Sequence, residues 1–140
     1  MDINFLAVLV CGILSMAIGM LWYSKILFGN AWCEINGMNM NMSPEEMKAA
    51  QKKMTPVYIT QFALSLFQAF VLAYFIDALG NVSGMITGFW MAMGFAIPAI
   101  AGITMWNGKP KKVAEKMFLI SAGYQAVILC VSGLILGMWK

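Results

Sequence analysis

Four charge-free stretches divide this chain: Ile3–Ser24, Met54–Ile76, Ala78–Gly108 and Met117–Trp139. Each is long enough to cross the hydrocarbon of a bilayer as a helix, which takes about 20 residues for roughly 30 Å. Backbone polar groups within hydrocarbon must be satisfied internally, and long unbroken apolar runs do this as helices. Composition agrees, with 61% hydrophobic and 11% charged residues in a chain of 140, against about 25% charged in soluble domains. The expected fold is therefore all-α, an integral membrane four-helix bundle. It forms a single domain over residues 1–140, with spans near 3–24, 55–78, 84–106 and 116–139.

The first segment is expected to be a retained span. Only Asp2 precedes it, where a secretory signal carries Lys or Arg, and it ends in bulky Trp22-Tyr23 rather than small residues. Lysine then sets the expected orientation. Lys25, Lys48, Lys52 and Lys53 fall between spans one and two, and Lys109, Lys111, Lys112 and Lys116 between spans three and four. The middle connection has none, and the carboxyl end has only Lys140. By the positive-inside rule, connections 25–53 and 107–116 are cytoplasmic and both termini lie outside, across a plasma (inner) membrane.

The first long connection has structure of its own. Ser43-Pro44-Glu45-Glu46 reads as a capping box with proline at the first helical position. Met47, Ala50 and Met54 make an apolar stripe opposite Lys48, Gln51 and Lys52, so an interfacial amphipathic helix is expected over about 44–54. Pro56 either opens span two or kinks a helix that continues through the join. Upstream, Leu27, Phe28, Trp32 and Ile35 predict a second short interfacial segment, ended at Gly37. The lysine-bearing borders and a glutamine early in spans two and four, Gln61 and Gln125, make a faint repeat of two parallel hairpins.

Absences narrow the chemistry. The chain has no histidine and no arginine, so the commonest general base, the bidentate anion clamp and most zinc or iron sites are missing. Asp77, Glu34 and the cysteines Cys11, Cys33 and Cys130 are poor catalytic material, and Asp77 is peripheral to its span. The expectation is a protein that is not an enzyme, needs no cofactor and binds no nucleic acid. Its net charge of +3 comes from lysines beside the membrane.

Polar groups inside the spans are the candidates for function. Gln61, Ser65 and Gln68 share one face of span two, and Ser121, Gln125 and Ser132 trace a seam on span four. These faces either line a hydrated path or pocket, or serve as interhelical hydrogen bonds of about 0.6 kcal/mol each. Gly12, Ser15 and Gly19 share a face of span one. Gly84, Gly88, Ala92 and Ala96 run along span three, and Gly133 and Gly137 along span four. Such small-residue stripes let backbones approach closely, and Pro98 is expected to bend span three. Trp22, Tyr23, Trp32, Tyr58, Trp106, Tyr74 and Trp139 sit at span borders, where anchoring is the ordinary role. Met38, Met40 and Met42, with Cys33 upstream, form a thioether-rich run whose chemistry suits soft Cu(I).

Two stretches carry a resemblance. Leu21-Trp22-Tyr23-Ser24 with Leu27-Phe28-Gly29-Asn30-Ala31-Trp32, and Ile120-Ser121-Ala122-Gly123-Tyr124-Gln125 with Gly133-Leu134-Ile135-Leu136-Gly137-Met138-Trp139, resemble the opening and closing signatures of the family catalogued as domain of unknown function 1761. The resemblance implies a small four-span membrane protein and brings no activity, substrate or cofactor. Lys25 stands where the pattern has proline, and the methionine run lies outside the pattern. The dense signature of Trp22, Tyr23, Phe28, Gly29 and Trp32 enters from the same side as Tyr124 and Gln125, so a site is expected between these groups.

The expected function is a homo-oligomer in the lipid bilayer that binds or passes a small uncharged or apolar solute. Its candidate residues are Gln61, Ser65, Gln68, Ser121, Tyr124, Gln125, Trp22, Tyr23 and Trp32. The alternatives are a structural or accessory subunit packed through the small-residue stripes, and soft-metal binding through Cys33, Met38, Met40 and Met42.

Overall fold

The computed structural model describes residues 2–39, 41–80 and 82–139, and among them there are helices and turns but no strand. Helix α1, Phe5–Trp22, starts where Asn4 accepts from the backbone N–H groups of Leu6 and Ala7 at 3.1 and 3.2 Å. The same side chain donates to the carbonyl of Trp139 at 3.3 Å, which ties the two chain ends together. A tight reversal leads into the short helix α2, Gly29–Ile35.

Helix α3 runs unbroken from Pro44 to Leu79. Its capping box is present in both directions: the Glu46 N–H donates to Ser43 Oγ at 3.2 Å, and the Ser43 N–H to Glu46 Oε2 at 3.0 Å. The amphipathic segment 44–54 and the following apolar span are therefore one helix, with Pro56 inside it. Pro56 has no N–H for the turn behind it, and Thr60 donates its hydroxyl back to the Pro56 carbonyl at 2.9 Å. Both features loosen and bend a helix at that point.

The third span is built from α4, Gly84–Met91, a π turn at Ala92–Ala96, and α5, Ile97–Met105. Pro98 disturbs this span through the widened turn just before it, where the Ile97 N–H bonds five residues back to the Ala92 carbonyl. Helix α6, Lys111–Met138, is the hub: 44% of its most apolar window is buried, against 17–28% for the other three spans.

Small residues decide how α4 meets α6. A Cβ on Gly84 would collide with the Gly133 carbonyl oxygen, and one on Gly88 with that of Leu129. The two stripes thus face each other within the chain, backbone against backbone. On α1 the small face is shared out. A Cβ on Gly12 would press on the Leu66 side chain of α3, and one on Gly19 would lie 3.2 Å from the Tyr124 hydroxyl of α6. Buried hydroxyls are satisfied within their own helices: Ser15 bonds the Cys11 carbonyl, Thr87 that of Ser83, and Thr104 that of Ile100.

Large apolar side chains face outward. Phe67, Phe95, Ile103 and Leu119 are 65–73% exposed. Four helices are long and apolar enough to cross a membrane. This surface matches lipid rather than water, and the chain is a multi-pass membrane protein.

A candidate solute cleft at the lysine-rich end

The first half of α3 stands apart from the bundle. Every residue from Gln51 to Thr60 is exposed, whereas Ser65, Ala69, Leu72, Ala73 and Ile76 in the second half are buried. Between this arm and the ends of α1, α2 and α6 lies a cleft of about 1460 Å³.

The opposite wall is a turn locked by aromatic rings. After Trp22 the backbone folds back on itself, with the Phe28 N–H bonded to the Trp22 carbonyl at 3.0 Å and the Gly29 N–H to that of Ser24 at 2.8 Å. Only glycine fits at 29, since a Cβ there would lie 2.6 Å from the Tyr23 and Ser24 carbonyl oxygens. The Trp22 indole donates to the Ile120 carbonyl at 2.9 Å and its ring covers Gly123. Trp22 also packs at a tilt against Phe28, ring centres 4.9 Å apart, while Tyr23 meets Trp32 at 5.0 Å and Tyr124 at 5.8 Å. The two signature stretches are therefore halves of one clamp, which holds α1 and α2 against α6. Trp22, Tyr23 and Trp32 pack here instead of merely anchoring in the interface, because α6 offers the small residue Gly123 and the flat ring of Tyr124. Trp106, 88% exposed, keeps the anchoring position.

The seam residues divide between cleft and packing. Gln61, Ser121, Tyr124 and Gln125 line the cleft together with Tyr23. The Tyr124 hydroxyl is already committed, donating to the Ser15 carbonyl at 2.9 Å. Gln68 lies beyond the cleft and donates its amide to Gln125 Oε1 at 3.1 Å. This bond turns the Gln125 amide nitrogen into a free donor, and among the described residues Gln61 has no side-chain partner at all. Two half-buried amides thus offer unspent hydrogen-bonding groups to the cleft. Ser65 does not line it, because its hydroxyl bonds back to the Gln61 carbonyl at 2.9 Å. Ser132 is buried in packing, its carbonyl accepting from Cys11 Sγ at 3.8 Å. Trp22 and Trp32 support the wall without lining it.

The amide pair makes a direct prediction. In a double-mutant cycle, Gln68→Leu and Gln125→Leu should couple by about 0.6 kcal/mol, the usual worth of an interhelical bond in a bilayer. Unfolding by SDS in mixed micelles measures this, and strict additivity would mean that the bond does not form in lipid.

The sulfur-bearing run is divided by the cleft. Cys33 and Met42 line the cleft, but Met38 is 54% exposed and does not, and Met40 lies outside the described residues. Among the described residues no group of three His, Cys, Asp or Glu side chains could hold a metal ion.

Sequence reasoning missed several lining residues. Met16, Gly19 and Met20 of α1, Ile100 of α5, and the lysines Lys25, Lys48 and Lys52 all border the cleft. A signal existed on α3. Lys48, Gln51 or Lys52, Thr55, Tyr58 and Gln61 follow one another at three- and four-residue spacing straight through the Pro56 join, marking one continuous face. Below the level of Met16, Gln61 and Gln125 the interior closes on the packed side chains of Cys11, Ala69, Leu72 and Leu129, so the cleft is blind.

In comparisons with known proteins, the family model described as Protein of unknown function (DUF1761) matches residues 6–137. No curated protein and no solved structure matches the chain.

Proposed function

Because this chain belongs to the DUF1761 family of proteins of unknown function, the cleft is the best guide to its role, and we propose that it receives a small, largely apolar solute carrying a hydroxyl or carbonyl group. The carrying observation is the Gln61 amide and the amide nitrogen of Gln125, both without a partner among the described residues, at the inner end of a cleft with Met16, Met20, Tyr58 and Ile100 in its walls. An amide pair in such surroundings is costly unless something accepts or donates to it. The blind end favours binding over passage through a pore. The volume of about 1460 Å³ lies within one copy of the chain, so the reading works for a monomer as well as for a homo-oligomer. It requires no cofactor and no catalytic step.

The accessory-subunit alternative draws on the small-residue stripes, and these are occupied inside the chain by the α4–α6 contact. The cleft opens at the lysine-rich end, which we assign to the cytoplasmic side of the plasma (inner) membrane with both termini outside. Eight of the nine lysines support this, since they fall in the two connections at that end.

Dodecanol serves as a neutral probe. In phosphatidylcholine nanodiscs, with empty discs as reference, the protein should bind it saturably. Replacing both Gln61 and Gln125 by leucine should weaken binding by about thirtyfold, the worth of two hydrogen bonds of about 1 kcal/mol each. Full binding by a variant that has also gained stability would reduce the amides to packing groups and end this reading.

A further inference from the structure

The rim of the cleft carries a charge that the neutral-solute reading leaves unused. Lys25 after α1 and Lys48 and Lys52 on α3 all border it. Lys48 and Lys52 are one turn apart on a single helix face, while Lys25 comes from the opposite wall, so lysines border the opening from both sides. Among the described residues no carboxylate lines the cleft beside them. The acidic residues nearest in sequence are Glu34, Glu45 and Glu46; none lines the cleft, and Glu46 is held by the backbone of Ser43. Among the described residues the ion pair is Lys111–Glu115, at 3.8 Å on the surface of α6. Lys109, another lysine at this end, donates to the Ile35 carbonyl at 3.2 Å and caps α2. Like charges gathered at one opening repel, and an anion in their midst removes that repulsion.

Depth adds a second constraint. Along α3, Lys52 and Gln61 are nine residues apart, a rise of about 13 Å. Between the lysines and the amides the walls include Met20 and Tyr58, with Thr55 among them on α3, and Met16 stands at the level of the amides. From rim to floor the cleft therefore presents cations, a mainly apolar band and neutral amides.

We infer that the occupant is an anionic amphiphile, its carboxylate or phosphate held by Lys25, Lys48 and Lys52 and its apolar body laid along Met16, Met20 and Tyr58 toward Gln61 and Gln125. This inference rests on the cleft reading above and adds the charge of the ligand to it. Phosphate and carboxylate share the chemistry, and the experiment separates them.

The test compares dodecanoate, dodecyl phosphate and dodecanol by calorimetric titration of the full chain in phosphatidylcholine nanodiscs, against empty discs. Either anion should bind at least about tenfold more tightly than dodecanol, since each lysine near the surface adds a comparable increment of attraction. The triple variant Lys25→Gln, Lys48→Gln, Lys52→Gln should lose that preference while dodecanol binding is unchanged. A second triple variant, Lys111→Gln, Lys112→Gln, Lys116→Gln, removes the same charge away from the cleft and should keep it. Which of the two anions binds more tightly identifies the head group. Equal affinity for all three amphiphiles overturns the inference and leaves the neutral cleft standing, as does an equal loss in both triple variants, which would point to general surface attraction. Absence of binding by all three, dodecanol included, defeats the inference together with the cleft reading.

Discussion

Replacing Gly88 by valine is expected to separate α4 from α6 and to cost about 3 kcal/mol or more, at the upper end for single substitutions. The reason is geometric. The position where the first side-chain carbon would stand is occupied by the backbone carbonyl oxygen of Leu129, which belongs to the most buried helix and cannot rotate aside as a side chain would. Gly133→Ala should behave likewise, because its Cβ would strike the Gly84 carbonyl from the other direction. Gly102→Ala on α5 provides the contrast: nothing lies within 4 Å of its Cβ, and a helix gains slightly from alanine. SDS-induced unfolding in mixed micelles should rank these three variants in that order of damage. If Gly88→Val and Gly102→Ala unfold alike, α4 and α6 are not in backbone contact in the membrane.

Loss of the Trp22 side chain should have the next largest effect. Trp22→Ala removes the ring that covers Gly123 and packs against Phe28, and with it the indole bond to the Ile120 carbonyl. Truncation of a packed tryptophan costs about 3 kcal/mol or more. Trp22→Phe separates the contributions. It keeps most of the apolar contact and forfeits the hydrogen bond, so about 1 kcal/mol should be lost. The consequence also reaches the cleft, since the clamp holds Tyr23 and Gly29 in its wall. Trp22→Ala should therefore weaken dodecanol binding even at temperatures where the bundle remains folded, whereas a tryptophan that only anchors, Trp106→Ala, should leave binding intact. Equal and small effects of the two alanine variants would return Trp22 to the role of interfacial anchor.

The candidate site was partly legible beforehand, and the division has physical causes. Gln61 and Gln125 stood out because a long amide in an apolar run has few reasons to be there, and both line the cleft. Ser65 and Ser132 share their faces by periodicity yet contribute little to it. A serine hydroxyl reaches its own helix one turn back, so its presence on a seam says nothing about what the seam faces. Gln68 was expected beside Gln61 in one polar row, but its amide is used by Gln125 across the helix boundary. The rim lysines were read as orientation signals and, for Lys48 and Lys52, as the polar face of an interfacial helix. Their place on the cleft rim depends on how far the α3 arm stands from α1, a distance no local pattern encodes.

The amino-acid order by itself determined the solvent, the number of spans and the capped start of α3. Each follows from local energetics: an apolar run of about 20 residues has lipid as its lowest-energy surroundings whatever its neighbours do, and a serine-to-glutamate capping pair needs only its own turn. Tertiary structure alone decided that the two glycine stripes serve each other, that the aromatic signature is a clamp, and that the outstanding α3 arm leaves a cleft between lysines and amides. These outcomes depend on which faces of different helices meet. That is settled by the fit of surfaces far apart in the chain, where one carbonyl against one missing side chain chooses the partner.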